Sequence, residues 1–108
     1  MNHPSLFHDT LEDALAEVIA SCGGKKSVAA ALWPDHSATV RHNLINACLN
    51  ETRSEKFAPA QLMRLMKMGR KKGCHAAMRF FATECGYDAK PVAKADRKAQ
   101  LQADYIQA

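Results

Sequence analysis

Thr39, His42, Asn43 and Asn46 recur at i, i+3, i+4 and i+7, a spacing that places all four on one side of an α-helix. Each can hydrogen-bond and none is a strong helix former, whereas a merely solvated helix face is commonly built from Glu and Lys. Asn can pair bidentately with adenine, a Thr methyl can touch the thymine methyl, and Arg can take guanine or phosphate. The pattern therefore makes Thr39, His42, Asn43 and Asn46 candidates for contacts to base edges in a DNA duplex. Lys25, Lys26, Arg41, Arg53, Lys56 and the hydroxyl of Ser37 are the matching candidates for phosphate contacts. Lys25 and Lys26 open a helix, where backbone N–H groups and the positive dipole end also attract phosphate. The same residues equally fit a capped, Asn-rich surface helix, and periodicity alone leaves both readings open.

Charge points the same way as the polar face. The chain carries 15 Lys and Arg against 11 Asp and Glu, a formal net charge of +4. Residues 1–22 hold four acids and no Lys or Arg, while residues 23–73 hold ten Lys and Arg against three acids. A basic middle in a nearly neutral chain is a candidate phosphate-facing surface, or else a solvated charged face.

Other chemistry finds no support in the residues. There is no dinucleotide-binding glycine motif, no P-loop, no H-E-x-x-H and no nucleophile elbow, so no catalytic residue, cofactor or metal is assigned. Cys22, Cys48, Cys74 and Cys85 include no C-x-x-C and read as reduced, buried thiols, with redox chemistry or a zinc set of Cys74, His75 and Cys85 as alternatives. No run of 18 apolar residues and no export signal is present, which leads us to expect a cytoplasmic, nucleoid-associated protein without membrane contact.

The elements that position these residues follow from composition and punctuation. A length of 108 residues with 47% hydrophobic content suits one domain with its own core. Nineteen alanines against eleven Val, Ile and Thr favour an all-α fold. Thr10 caps a first helix whose apolar stripe is Leu11, Leu15, Val18, Ile19 and Cys22, and Gly23-Gly24 ends it. A short second helix spans Lys25 to Trp33, burying Val28, Ala29 and Leu32, with Trp33 as a core anchor; Pro34 stops it. The polar-faced third helix, Ala38 to Leu49, is capped by Ser37 or Asp35 and is expected to bury Val40, Leu44, Ala47 and Cys48. A polar connector, Asn50 to Ala58, leads to a fourth helix from Pro59 to Lys72 with the stripe Leu62, Leu65, Met66 and Gly69. A fifth, Cys74 to Cys85, is expected to bury Met78, Phe81 and Cys85, with Phe80 and Ala77 nearby and Tyr87 folding back on the core. The resulting organisation is a flexible arm over 1–8, a helical domain over 9–87 and a C-terminal segment over 88–108. Within it, residues 88–95 read as a hinge and residues 96–108 are helix-competent through Leu101, Tyr105 and Ile106, a strip that can pair with a second copy as an oligomerisation helix, dock on the domain or stay disordered.

Helix, glycine turn, short helix, four-residue turn and polar-faced helix is the helix-turn-helix plan, in which the last helix enters the major groove. The segments Gly24-Lys25-Lys26-Ser27-Val28-Ala29-Ala30-Ala31-Leu32-Trp33-Pro34 and Asn43-Leu44-Ile45-Asn46-Ala47-Cys48-Leu49-Asn50 resemble the phage regulatory protein CII family. So do Gly73-Cys74-His75, Phe80-Phe81 and Glu84-Cys85-Gly86-Tyr87, extending the resemblance over roughly residues 10–90. It implies a compact five-helix, lambda-repressor-like DNA-binding domain of phage or prophage origin. It also implies a transcription regulator that works as a homodimer or higher homo-oligomer on double-stranded DNA, with RNA polymerase as a further candidate partner. The rival from another class is a small helical interaction module that modulates another regulator without touching DNA. RNA is a weaker alternative, because aromatic stacking residues are scarce.

Overall fold

A computed structural model describes residues 8–92; the expected arm before His8 and the expected helix over 96–108 lie outside the described residues. Five helices and no strand are present among them: α1 Leu11–Ser21, α2 Lys25–Leu32, α3 Ala38–Cys48, α4 Pro59–Lys71 and α5 Ala76–Cys85.

α1 begins where the Thr10 side chain accepts a hydrogen bond from the Asp13 N–H at 3.1 Å, satisfying one of the donors that a helix start leaves unpaired. Leu15, Val18, Ile19 and Cys22 of its expected stripe are buried and Leu11 is partly buried, with Ala14 completing the inward face. α1 is the hub of the fold, packing against α2, α4 and α5. Gly23 and Gly24 take φ of 101° and 93°, a conformation that side-chain-bearing residues rarely adopt, so the chain reverses within two residues into α2. α2 then buries Val28, Ala29 and Leu32, again the residues its spacing predicts.

α4 starts at Pro59, with the Ala58 N–H donating to the Gln61 side chain at 2.8 Å. Leu65 is fully buried and Leu62, Met66 and Met68 pack against the core. Gly69 is a point of close approach. A Cβ placed there would lie 2.8 Å from the carbonyl oxygen of Cys74 and 3.0 Å from a methyl of Val18. The chain returns so tightly because the Cys74 N–H donates to the Gly69 carbonyl at 2.8 Å and the Gly73 N–H to the Arg70 carbonyl at 3.2 Å, the paired bonds of a Schellman turn. That turn delivers α5 onto α1.

The third and fifth helices are rotated from the expected orientation. On α3 the buried residues are Ile45 and Cys48; Val40 is 41% exposed, and Leu44 and Ala47 are half-buried. The core face is displaced by about one residue, roughly 100° on a helix of 3.6 residues per turn. Two contacts favour this orientation: Ile45 and Cys48 are buried against the core, and the Arg41 guanidinium on the same side bonds to the end of α2. On α5, Ala76 and Ala77 are buried and Phe80 packs against the core, while Met78 and Cys85 are exposed and Phe81 is half-buried. Two small residues let the start of α5 approach α1, and the aromatic behind them fills the remaining space. Tyr87 is 75% exposed rather than folded onto the core.

Phe57, within the segment expected to be a polar connector, is buried and stacks on Trp33 with ring centroids 6.1 Å apart. Trp33 is half-buried against the core, so its anchoring role is shared with Phe57. Among the four thiols, Cys22 and Cys48 are buried, Cys74 is half-buried and Cys85 is exposed. Burial raises the Cys22 thiol above its ordinary value, with the neighbouring Cys74 adding to the effect and Lys72 opposing it. Cys48 is raised by burial and then by Glu55, with Lys56 opposing.

Two outcomes follow from this packing. Gly69→Ala should destabilise the domain by about 1–3 kcal/mol through overpacking, even though Ala is the better helix former by about 1 kcal/mol; a melting temperature that rises would contradict the close approach. Timed maleimide labelling read by mass spectrometry should modify Cys85 first, with Cys22 and Cys48 at least about tenfold slower, since a buried, protonated thiol reacts only on opening.

Candidate nucleic-acid interface

α3 is held in place by its two ends and by α2. The Ser37 hydroxyl accepts from the Val40 N–H at 3.2 Å and so caps the helix. Arg41 donates through Nε to the Trp33 carbonyl at 2.8 Å and through Nη2 to the Pro34 carbonyl at 2.7 Å. These carbonyls end α2, where a helix leaves acceptors unpaired and carries partial negative charge. One side chain therefore caps α2 and ties α3 to it. α3 packs chiefly on α2 among the helices, which leaves its far side uncovered.

Thr39, His42 and Asn43 are exposed on that helix, and Asn46 is half-buried. Asn46 belongs to a polar chain that links the two helices. Its Oδ1 accepts from Lys25 Nζ at 2.7 Å and its Nδ2 lies 3.0 Å from His42 Nε2. The structure thus gathers three of the four base-edge candidates into one exposed patch and couples the fourth to a phosphate candidate. Asn50, which flanks the patch, accepts from both the N–H and the hydroxyl of Thr52 in the turn after α3.

The phosphate candidates divide by what they touch. Lys25 and Lys26 are exposed at the start of α2. Ser37 is engaged as a cap and Arg41 as the clamp between helices. Arg53 pairs bidentately with Glu55, at 2.8 and 3.1 Å. That hydrogen bonding holds the Glu55 carboxyl below the usual carboxylate range and raises Arg53. Lys56 donates to Glu12 at 3.3 Å and to the Asn50 carbonyl at 3.1 Å, tying the connector to the acidic first turn of α1. The Arg53–Glu55 pair is exposed, a setting in which such pairs contribute little and can be exchanged, whereas the Glu12 side chain that Lys56 meets is half-buried.

Between α2 and α3 runs a groove of about 310 Å³. Ala29, Ala30, Ala38 and Ile45 form its apolar part, and Lys25, Lys26, Arg41 and His42 its basic part. Sequence periodicity missed this groove because it treats each helix separately; the alanine run Ala29-Ala30-Ala31 was its signal. Among the described residues no three His, Cys, Asp or Glu side chains form a group that could hold a metal ion, and no helix is long and apolar enough to cross a membrane. Comparison of the chain with protein-family models, with curated proteins and with solved structures finds no match in any of the three.

Replacing Arg41 with Ala should lower stability by about 1–3 kcal/mol, the range for hydrogen bonds made by a charged donor. Arg41→Lys should fall between, since an ammonium cannot span both carbonyls with the fixed fork of a guanidinium. Amide exchange should accelerate more over 38–48 than over 11–21; equal acceleration would show that Arg41 does not act at the α2–α3 joint.

Proposed function

We propose that the chain is a sequence-specific double-stranded DNA-binding transcription regulator of the lambda-repressor-like helix-turn-helix type, with α3 entering the major groove. The observation that carries this reading is the outward face of α3, where Thr39, His42 and Asn43 stand exposed beside Lys25 and Lys26. A face of hydrogen-bonding side chains on a helix covered from one side only has the donors and acceptors that base edges require. Asn43 and Thr39 are the base-reading residues in this proposal, with His42 and Asn46 placed by the Lys25–Asn46–His42 chain at the side of the patch. Lys25 and Lys26 approach phosphates from the start of α2, and Ser37 and Arg41 support the recognition helix. Arg53 and Lys56 join the phosphate set by leaving Glu55 and Glu12. A pseudo-palindromic site read by two copies follows if the protein acts as a homodimer. Phage or prophage origin, engagement of RNA polymerase and a place on the nucleoid complete the proposal.

Selecting duplexes from a random pool should recover a defined motif, and its half-site spacing should report the symmetry of the bound species. Asn43→Ala should cost about 1–3 kcal/mol on that motif and little on random DNA. The salt slope should be about −2 per subunit if Lys25 and Lys26 act alone and nearer −4 if Arg53 and Lys56 also engage. Failure of any duplex to bind, or binding indifferent to salt, would overturn the proposal in favour of a protein-interaction module.

A further inference from the structure

A second basic surface lies on α4, outside the helix pair assigned to base and phosphate contacts. Arg64, Lys67 and Lys71 recur at i, i+3 and i+7 and are exposed, so their side chains form one row along the helix. α4 contains no Asp or Glu, and none of the three has an ion-pair partner among the described residues. Like charges at these spacings repel and weaken a helix. The helix dipole rewards cations only in the last turn, which accounts for Arg70 and Lys71 but not for Arg64 and Lys67. The turn into α5 adds to the charge. His75 is held below the ordinary imidazole value by burial, then by Arg79 and Arg70, so cations of both helices crowd this end of α4. α4 packs chiefly on α1 and α3 chiefly on α2, which makes the row separate from the polar face of α3. We propose that the α4 row is a second, sequence-independent contact for the phosphate backbone of duplex DNA.

Repeated negative charge is what such a row matches. At about 1.5 Å of rise per residue, Arg64 to Lys71 spans about 10 Å. Each strand of a duplex presents one phosphate per about 3.4 Å of axis, so three cations meet about three phosphates. A protein partner fits less well, because interface cores are enriched in aromatic residues and depleted in Lys. Among the described residues Met63 is the only large apolar side chain exposed on α4. A lipid surface fits less well still, since the apolar side of α4 is occupied in the core through Leu62, Leu65 and Met66 and none is left to insert. Arg70 already donates to the Val92 carbonyl at 2.8 Å and adds charge beside the row. Taking the polyanion to be DNA rests on the function proposed above; the cation row itself does not.

The test is titration of a random-sequence duplex of about 12 base pairs into the full chain, followed residue by residue through amide chemical shifts. Shifts should appear over 64–79 as well as over 25–46, and those over α4 should saturate with a salt slope of about −3. In the double variant Lys67→Ala/Lys71→Ala the slope over α4 should fall to about −1, and binding there should weaken at least about tenfold at about 0.1 M salt. The shifts over 25–46 should persist. Both positions are exposed and Ala favours a helix, so the variant keeps its fold; Arg64→Gln, which should lower the slope by about 1, gives the same readout independently. Poly-L-glutamate and phosphatidylglycerol vesicles at equal charge should act on α4 at least about tenfold more weakly than the duplex. Duplex shifts confined to 25–46, a double variant that binds at α4 normally, or polyglutamate or vesicles that match the duplex would each overturn the proposal. Shifts over 64–79 with none over 25–46 would sustain this contact while removing the one proposed for α3, so the two readings fail separately.

Discussion

The orientation of the candidate interface depends on the bonds from Arg41 to the last carbonyls of α2. α3 has little contact with the other helices beyond α2, so the α2–α3 joint decides which of its faces turns outward. The joint combines two effects. Ile45 and Cys48 bury apolar surface against the core, and the guanidinium supplies donors to the Trp33 and Pro34 carbonyls. Burial by itself is non-directional; the planar donor fork adds the direction. α2 is fixed in turn by Val28, Ala29 and Leu32 in the core built around α1. A chain of constraint thus runs from the stripe of α1, through α2 and Arg41, to the exposed Thr39 and Asn43.

Electrostatics is arranged by contact as much as by composition. The basic stretch from 23 to 73 reads in the sequence as a continuous positive surface. In the fold, the acidic first turn of α1 places Glu12 against Lys56, and Glu55 neutralises Arg53 two residues away. Lys25 and Lys26 retain exposed ammonium groups beside the polar face of α3. The exposed cations therefore fall in two places, Lys25 and Lys26 at the start of α2, and Arg64, Lys67, Arg70, Lys71 and Lys72 on α4 and the turn that ends it.

The legible elements were those whose apolar residues all lie on one stripe. α1, α2 and α4 turn inward the stripes their periodicity indicates, fully at Leu15, Val18, Ile19, Val28, Ala29, Leu32, Leu65 and Gly69 and in part at Leu11, Leu62 and Met66, because several side chains agree on a single direction. α3 and α5 offer apolar residues on more than one side, so periodicity alone gives no unique face. On α3, Val40 and Leu44 competed with Ile45, and the outcome joins the burial of Ile45 and Cys48 to the bonds of a charged residue that pattern reading assigns to the surface. On α5, Ala76 and Ala77 outranked Met78, because close helix approach rewards small residues. Phe57 was hidden by its polar neighbours, since a single aromatic in a connector carries no period.

For the candidate site, the residues by themselves determined the helix bounds near 38 and 48, a cap at Ser37 or Asp35 and the grouping of Thr39, His42 and Asn43 on one side. These are local properties, set by hydrogen bonds and spacing within one turn or two. Tertiary structure alone decided that Arg41 faces inward, that Asn46 is bound by Lys25, and that Arg53 and Lys56 meet carboxylates. Lys25 and Asn46 lie 21 positions apart, and Lys56 and Glu12 lie 44 apart. Contacts of that range exist only once helices pack, because packing selects which donor reaches which acceptor.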